Sequence, residues 1–241
     1  MSLTVVAGIV LPMRRRSLLA ALISLPIALS ACTGESKPQD PTAALAKAKT
    51  TFDTAKAVTI DLASSIDIPS GHNGVKGAKG TGIIDATTPK FKGQVTAVVN
   101  GTPATVDMVS IGAKSWMSLF TPKLAPVDLA DLGAPTPSSF FDPATGLSQM
   151  LAKATDARAT GEQRYGKEVL QTYAAQLPGS LIKALLRLGK DGTTFDAVFG
   201  IEPASGQLRQ AKVTGNFYEG ISSTYSVVLT DYGKSIDIPR P

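Results

Sequence analysis

Cysteine and histidine each occur once in this 241-residue chain, as Cys32 and His72. A single cysteine excludes an intrachain disulfide and any metal site built from several thiolates. A single histidine leaves every catalytic scheme that needs a positioned imidazole dependent on one residue in a glycine-rich stretch. An excess of either charge is small too: the formal charge is +5, and three of the positive charges are the adjacent Arg14, Arg15 and Arg16. Without these the balance is +2, so nucleic-acid binding has no electrostatic support. The chain also lacks an apolar run of spanning length, because residues 17–31 supply only 15 positions where a transmembrane helix needs about 20.

Catalytic motifs are equally scarce. No G-x-S-x-G elbow is present; Gly220-Ile221-Ser222-Ser223-Thr224 lacks the closing glycine. Gly189-Lys190-Asp191-Gly192-Thr193 has the wrong spacing for a phosphate loop and follows an expected helix instead of preceding one, so it reads as a helix C-cap and turn. Acidic residues are scattered along the polar sides of strands without metal-ligand spacing. The sequence therefore predicts no catalytic residue, no metal and no cofactor.

What is present begins with the leader. Arg14 to Arg16 precede the apolar residues 17–31, which end in Leu29-Ser30-Ala31-Cys32, a lipobox-like tetrapeptide. Residues 1–31 read as a signal peptide, with Met13 as a second candidate start, and Cys32 as the acceptor of a lipid anchor. Two or three acyl chains hold stably where one holds marginally. Residues 32–42, polar and bearing Gly34, Pro38 and Pro41, read as a lipidated tether. Residues 43–241 read as one domain.

Asp40-Pro41 has the form of a helix start, followed by Ala44, Leu45, Ala48, Phe52 and Ala55 at helical spacing. From Val58 the period becomes two, with Val58, Ile60 and Leu62 on one face of a strand. Residues 70–82, glycine-rich and polar, read as a mobile loop. Asn100-Gly101 predicts a two-residue hairpin turn that places Val99 opposite Thr102, Ala97 opposite Ala104, Val95 opposite Val106 and Gly93 opposite Met108, with one face apolar. The turn reading takes precedence over an N-glycosylation sequon at Asn100-Gly101-Thr102.

A strand near residues 115–120 and irregular proline-rich chain over 122–137 come next. A short apolar helix with Leu147, Met150 and Leu151 leads to a strand pair over 154–164 and 167–175. A strongly apolar helix over 178–188 and three strands over 194–201, 208–217 and 223–231 complete the pattern. The pentapeptide Ser65-Ile66-Asp67-Ile68-Pro69 recurs as Ser235-Ile236-Asp237-Ile238-Pro239 and reads as two strand ends stopped by proline. The fold class is α+β, an antiparallel sheet with a few helices. By the residues alone, the apolar faces describe either a filled core or a ligand cavity.

The lipobox leader, Phe141-Asp142-Pro143-Ala144-Thr145-Gly146-Leu147, Asp156-Ala157-Arg158-Ala159-Thr160-Gly161 and Leu229-Thr230-Asp231-Tyr232-Gly233-Lys234 together resemble the LppX/LprA/LprF/LprG family of mycobacterial lipoproteins. The resemblance implies a strongly curved antiparallel β-sheet, a half-barrel, with helices packed on its concave face around an apolar cavity. It further implies a non-catalytic, membrane-anchored carrier that moves acylated lipids or glycolipids across the envelope, of the triacylglycerol, phosphatidylinositol mannoside or lipoarabinomannan class. The plasma membrane and, in some members, a major-facilitator transporter are the implied partners. Acyl chains would then lie against Val95, Ala97, Val99, Val106 and Met108 on the sheet and Met150, Leu151, Leu181, Ile182, Leu185 and Leu186 on the helices, with the loop over 70–82 gating the entrance. The alternative from another class is a lipid-anchored scaffold or transporter partner with a filled core and no cargo.

Overall fold

The computed structural model describes residues 40–65, 68–118, 121–234 and 236–241, so the expected leader, Cys32 and most of the tether lie outside the described residues. Helix α1 (Pro41–Asp53) begins where its start signal stands: the Asp40 carboxylate accepts the Ala43 amide at 2.8 Å, and Pro41 takes a first-turn position that needs no amide donor. Pro41 and Thr42 therefore belong to the helix, and the domain begins before the expected boundary at 43. Ala44, Leu45, Ala48 and Phe52 form the buried stripe, while Ala55 falls beyond the helix end and packs against the core from there.

Eleven strands among the described residues form one antiparallel sheet. They are β1 (Ala57–Ser64), β2 (Gly74–Ile83), β3 (Lys90–Val99), β4 (Thr102–Ile111), β5 (Lys114–Ser118), β6 (Leu124–Val127), β7 (Thr155–Tyr165), β8 (Glu168–Pro178), β9 (Thr194–Ile201), β10 (Leu208–Tyr218) and β11 (Ile221–Thr230). Their spatial order is β6-β5-β4-β3-β2-β1-β11-β10-β9-β8-β7. The first and last strands pair at the centre, Ile60 opposite Leu229 and Leu62 opposite Val227, and successive antiparallel neighbours extend to either side. The sheet is open, with β6 and β7 as its edges, and fits a curved sheet. A short 3₁₀ helix (Pro137–Phe141), α2 (Gln149–Ala152) and α3 (Gly179–Leu186) complete the fold. Buried residues of α1, α2 and α3 share one hydrophobic cluster with the sheet. Among the described residues no helix is long and apolar enough to cross a membrane.

Three expectations need correction. Residues 70–82 are not a mobile loop: from Gly74 onward they form β2, hydrogen-bonded to β1 on one side and β3 on the other. The glycines there make room for aromatic rings. A Cβ on Gly82 would overlap the ring of Phe141, and one on Gly80 would stand 2.7 Å from Gly93 Cα and 2.8 Å from the Phe91 ring. Residues 122–137 are not wholly irregular, since β6 lies within them; Pro126 is tolerated because an edge strand leaves one side unpaired. The second Ile-Asp-Ile-Pro copy does not end a strand. Its Ile238 is fully buried beside Val109 and Trp116, with its carbonyl accepting the Lys90 ammonium at 3.3 Å.

Candidate functional site

The β3–β4 hairpin forms in the expected register. Asn100 and Gly101 have φ of 49° and 77°, as a tight turn of this kind requires, and all four expected pairs are present. The outer face carries paired polar groups, Gln94 with Asp107 at 3.0 Å and Thr96 with Thr105 at 2.9 Å. The other face, with Val95, Ala97, Val99, Ala104, Val106 and Met108, lines an apolar pocket of about 330 Å³. Further walls come from β1, β2, β5, β10 and β11, from the chain over 129–137, and from Phe140, Leu147, Met150, Ile182, Leu185, Leu186 and Leu188.

Of the eleven residues expected to face a ligand, nine line this pocket: Val95, Ala97, Val99, Val106, Met108, Met150, Ile182, Leu185 and Leu186. Leu151 and Leu181 are buried in the core but do not line it. Neighbouring residues on a helix point about 100° apart, so Met150 facing the pocket turns Leu151 aside. Likewise the stripe of Ile182, Leu185 and Leu186 leaves Leu181 on its flank. Sequence reasoning missed Phe91, Leu129, Leu132, Phe140 and Leu188, and it did not extend the site to Ile60, Leu62, Val213, Tyr225 and Val227. The alternation on β1, β10 and β11 carried the signal for that second group.

Among the described residues four polar ones, Asn73, Thr102, Tyr225 and Ser226, line the pocket, and no charged one does. The Tyr225 hydroxyl donates to the Val75 carbonyl at 2.7 Å, and burial pushes its phenol well above the ordinary tyrosine range. The Asn73 side-chain oxygen accepts the Asn100 amide at 2.7 Å. His72 stands edge-on to Tyr218, ring centroids 5.3 Å apart, with Nδ1 3.3 Å from the Ser70 carbonyl oxygen. Among the described residues no three His, Cys, Asp or Glu side chains gather as metal ligands. What such a lining can do is shelter hydrocarbon from water.

The Phe141–Leu147 segment has a positioning role. The Asp142 carboxylate accepts the Ala144 amide at 2.8 Å and the Thr145 hydroxyl at 2.7 Å; the Gly146 and Leu147 amides donate to the Asp142 and Phe140 carbonyls at 2.7 and 2.9 Å. A Cβ on Gly146 would lie 2.6 Å from the Asp142 carbonyl oxygen, so the turn needs glycine. Just upstream, the Ser138 hydroxyl donates to the Gly112 carbonyl at 2.6 Å and lies 2.8 Å from Ser110 Oγ, which is 3.1 Å from Ser115 Oγ; all three serines are buried. This cluster pins the 3₁₀ helix to the β4–β5 turn and thereby places Phe140 and Phe141.

Comparison with curated proteins finds no match. In three dimensions the chain is similar to the crystal structure of LprF from Mycobacterium bovis, with a TM-score of 0.70 at 11% identity over 83% of this chain and 96% of that one. It is also similar to the lipoprotein LppX of Mycobacterium tuberculosis, with a TM-score of 0.61 at 15% identity over 82% and 97%. At these identities the likeness establishes a common fold. The model of the LppX_LprAFG lipoprotein family matches residues 40–238, from the cap of α1 to the buried Ile238, and the chain belongs to that family.

Proposed function

We propose that this chain is a membrane-anchored carrier that takes acylated lipids or glycolipids into the apolar pocket and passes them across the cell envelope without catalysing a reaction. The observation that carries this reading is the lining, which among the described residues is aliphatic and aromatic with four polar residues and no charge. Each methylene buried against such walls is worth about 0.8 kcal/mol, whereas a charged ligand would lose its hydration without compensation. Membership of a lipoprotein family supports the same reading. In this account the helices cover the concave face of a half-barrel sheet, the pocket is the cavity between them, and the nine expected residues along it contact acyl chains. Cys32 holds the protein at the extracytoplasmic face of the membrane. Triacylglycerol, phosphatidylinositol mannoside and lipoarabinomannan are the candidate cargo classes, and a major-facilitator transporter is the candidate partner.

The test is native mass spectrometry of the mature chain produced in an actinobacterial host, followed by solvent extraction and lipid identification. Bound mass that resolves into diacyl or triacyl lipid is the expected result. A clean unliganded mass, with no uptake from vesicles of host lipid, would overturn the carrier and leave a lipid-anchored scaffold in its place.

A further inference from the structure

Resting on the carrier reading, we infer that Phe91 is the floor of the pocket and sets the length of acyl chain that it accepts. Three strands mark where the pocket stops. Its lining runs along β3 from Val99 to Phe91, along β4 from Thr102 to Met108 and along β2 from Gly74 to Ala78. In register, Phe91 stands opposite Gly82 and Ser110, beyond the last lining residues of both neighbours. The stretch from Val99 to Phe91 corresponds to about 26 Å of extended strand.

The ring lies where no side chain competes with it. Gly80 and Gly93 are paired across β2 and β3, and a Cβ on either would come 2.8 Å from the Phe91 ring. Phe91 therefore covers a glycine gap on the pocket face. Phe141 stacks on it, with centroids 6.0 Å apart and planes 13° from parallel, and fills the space above Gly82. Both rings are fully buried, but only Phe91 lines the pocket. Phe141 is held by the Asp142–Gly146 turn and the Ser138 cluster, so the floor is backed by a fixed support.

This arrangement makes a gauge. A chain end that reaches Phe91 meets a braced ring, and any longer chain must bend or leave methylenes in water, each forfeiting about fourfold in binding. The glycines also govern the effect of shortening the ring. Gly80, Gly82 and Gly93 have no side chains with which to refill the space, so the vacated volume would add to the pocket's length.

The test uses the full mature chain and an equimolar ladder of neutral diacylglycerols whose straight acyl chains run from dodecanoyl to hexacosanoyl, with the bound fraction extracted and read by mass spectrometry. The unmodified protein is expected to show an upper length limit. Phe91→Ala is expected to raise that limit by several methylenes, each newly accepted one increasing relative uptake about fourfold. Phe91→Leu moves the limit the same way by less, and decides the matter where circular dichroism shows the alanine variant unfolded. Val198→Ala, exposed on β9 and outside the lining, leaves the limit in place. A limit unchanged in a folded Phe91 variant overturns the gauge and leaves the carrier standing. An unmodified protein that takes up no member of the ladder overturns the carrier, and the gauge with it.

Discussion

Strands β8–β9 and β2–β4, on either side of the central β1–β11 pair, share the same alternation of apolar and polar residues, yet the first are filled and the second border a pocket. On β8 and β9 two inward pairs are large, Tyr173 opposite Phe199 and Leu177 opposite Phe195, with only Ala175 opposite Ala197 between them, and all are buried. Phe217 on β10 adds ring contacts to Phe195 at 4.8 Å and Tyr225 at 4.7 Å. On β2 to β4 the equivalent positions hold Ala78, Val95, Ala97, Ala104 and Val106, and the aromatic rings Phe91 and Phe141 gather at one end. Period therefore decides which face is buried, and side-chain volume decides whether that face closes on a core or stands off from it.

The largest test of this contrast is in the filled half. Phe199→Ala should cost about 3–5 kcal/mol, read by urea denaturation, because the surrounding rings cannot collapse into the void. Val106→Ala, beside the pocket, should cost well under half of that, since fewer packed neighbours are lost. Equal costs would mean that the two sides are packed alike. An intermediate effect belongs to the glycine strand: Gly82→Ala should cost about 1–3 kcal/mol by overpacking against Phe141. A neutral result there would remove the reason given for glycine in β2. A smaller stability change accompanies Val106→Trp, within about 1.5 kcal/mol, because the indole can enter existing space. Lipid loading should nevertheless fall severalfold, measured by extraction; undiminished loading would take this face out of the binding site.

These contrasts also mark what the sequence could disclose. The α1 start was legible because Asp40 and Pro41 act on amides within their own turn, and the β3–β4 register because Asn100-Gly101 fixes it locally. The strand β2 was not, since what makes its glycines structural is Phe141, far along the chain, and Phe91 on the next strand. The edge strand β6 was hidden by Pro126, which excludes a central strand but not an edge. Nine residues that line the pocket were legible as members of apolar faces. Leu151 and Leu181 are buried without lining the pocket, because helical period identifies a buried stripe without telling which part of it borders open space. Phe91 escaped notice because the end of a pocket is set jointly by three strands and a turn.

The smallest expected effect compares the two halves through their hairpin turns. Beside the pocket, Asp85 in the β2–β3 turn accepts the Thr88 and Thr87 amides, each at 2.7 Å, and these bonds hold its carboxyl below the ordinary range. In the filled half, Glu202 between β9 and β10 is lowered by hydrogen bonding to the Ser205 side chain and to the Ser205 and Ala204 amides. A carboxylate lowered by folding contributes stability that is complete above its unfolded pKa, about 4, and is lost as pH falls through the folded value. Urea midpoints should therefore decline on the acid side, and Asp85→Asn and Glu202→Gln should each flatten that decline slightly. Uptake of a neutral lipid should remain level across the same range, because among the described residues no carboxylate or histidine lines the pocket. The two turns differ in one connection: the Asp85 amide donates to the Phe141 carbonyl at 3.3 Å, behind the pocket floor. If the floor is as firmly braced as its packing indicates, Asp85→Asn leaves the lipid profile as unaltered as Glu202→Gln does. A change in that profile confined to the Asp85 variant would show that the β2–β3 turn, and not the stacked rings alone, holds the end of the pocket.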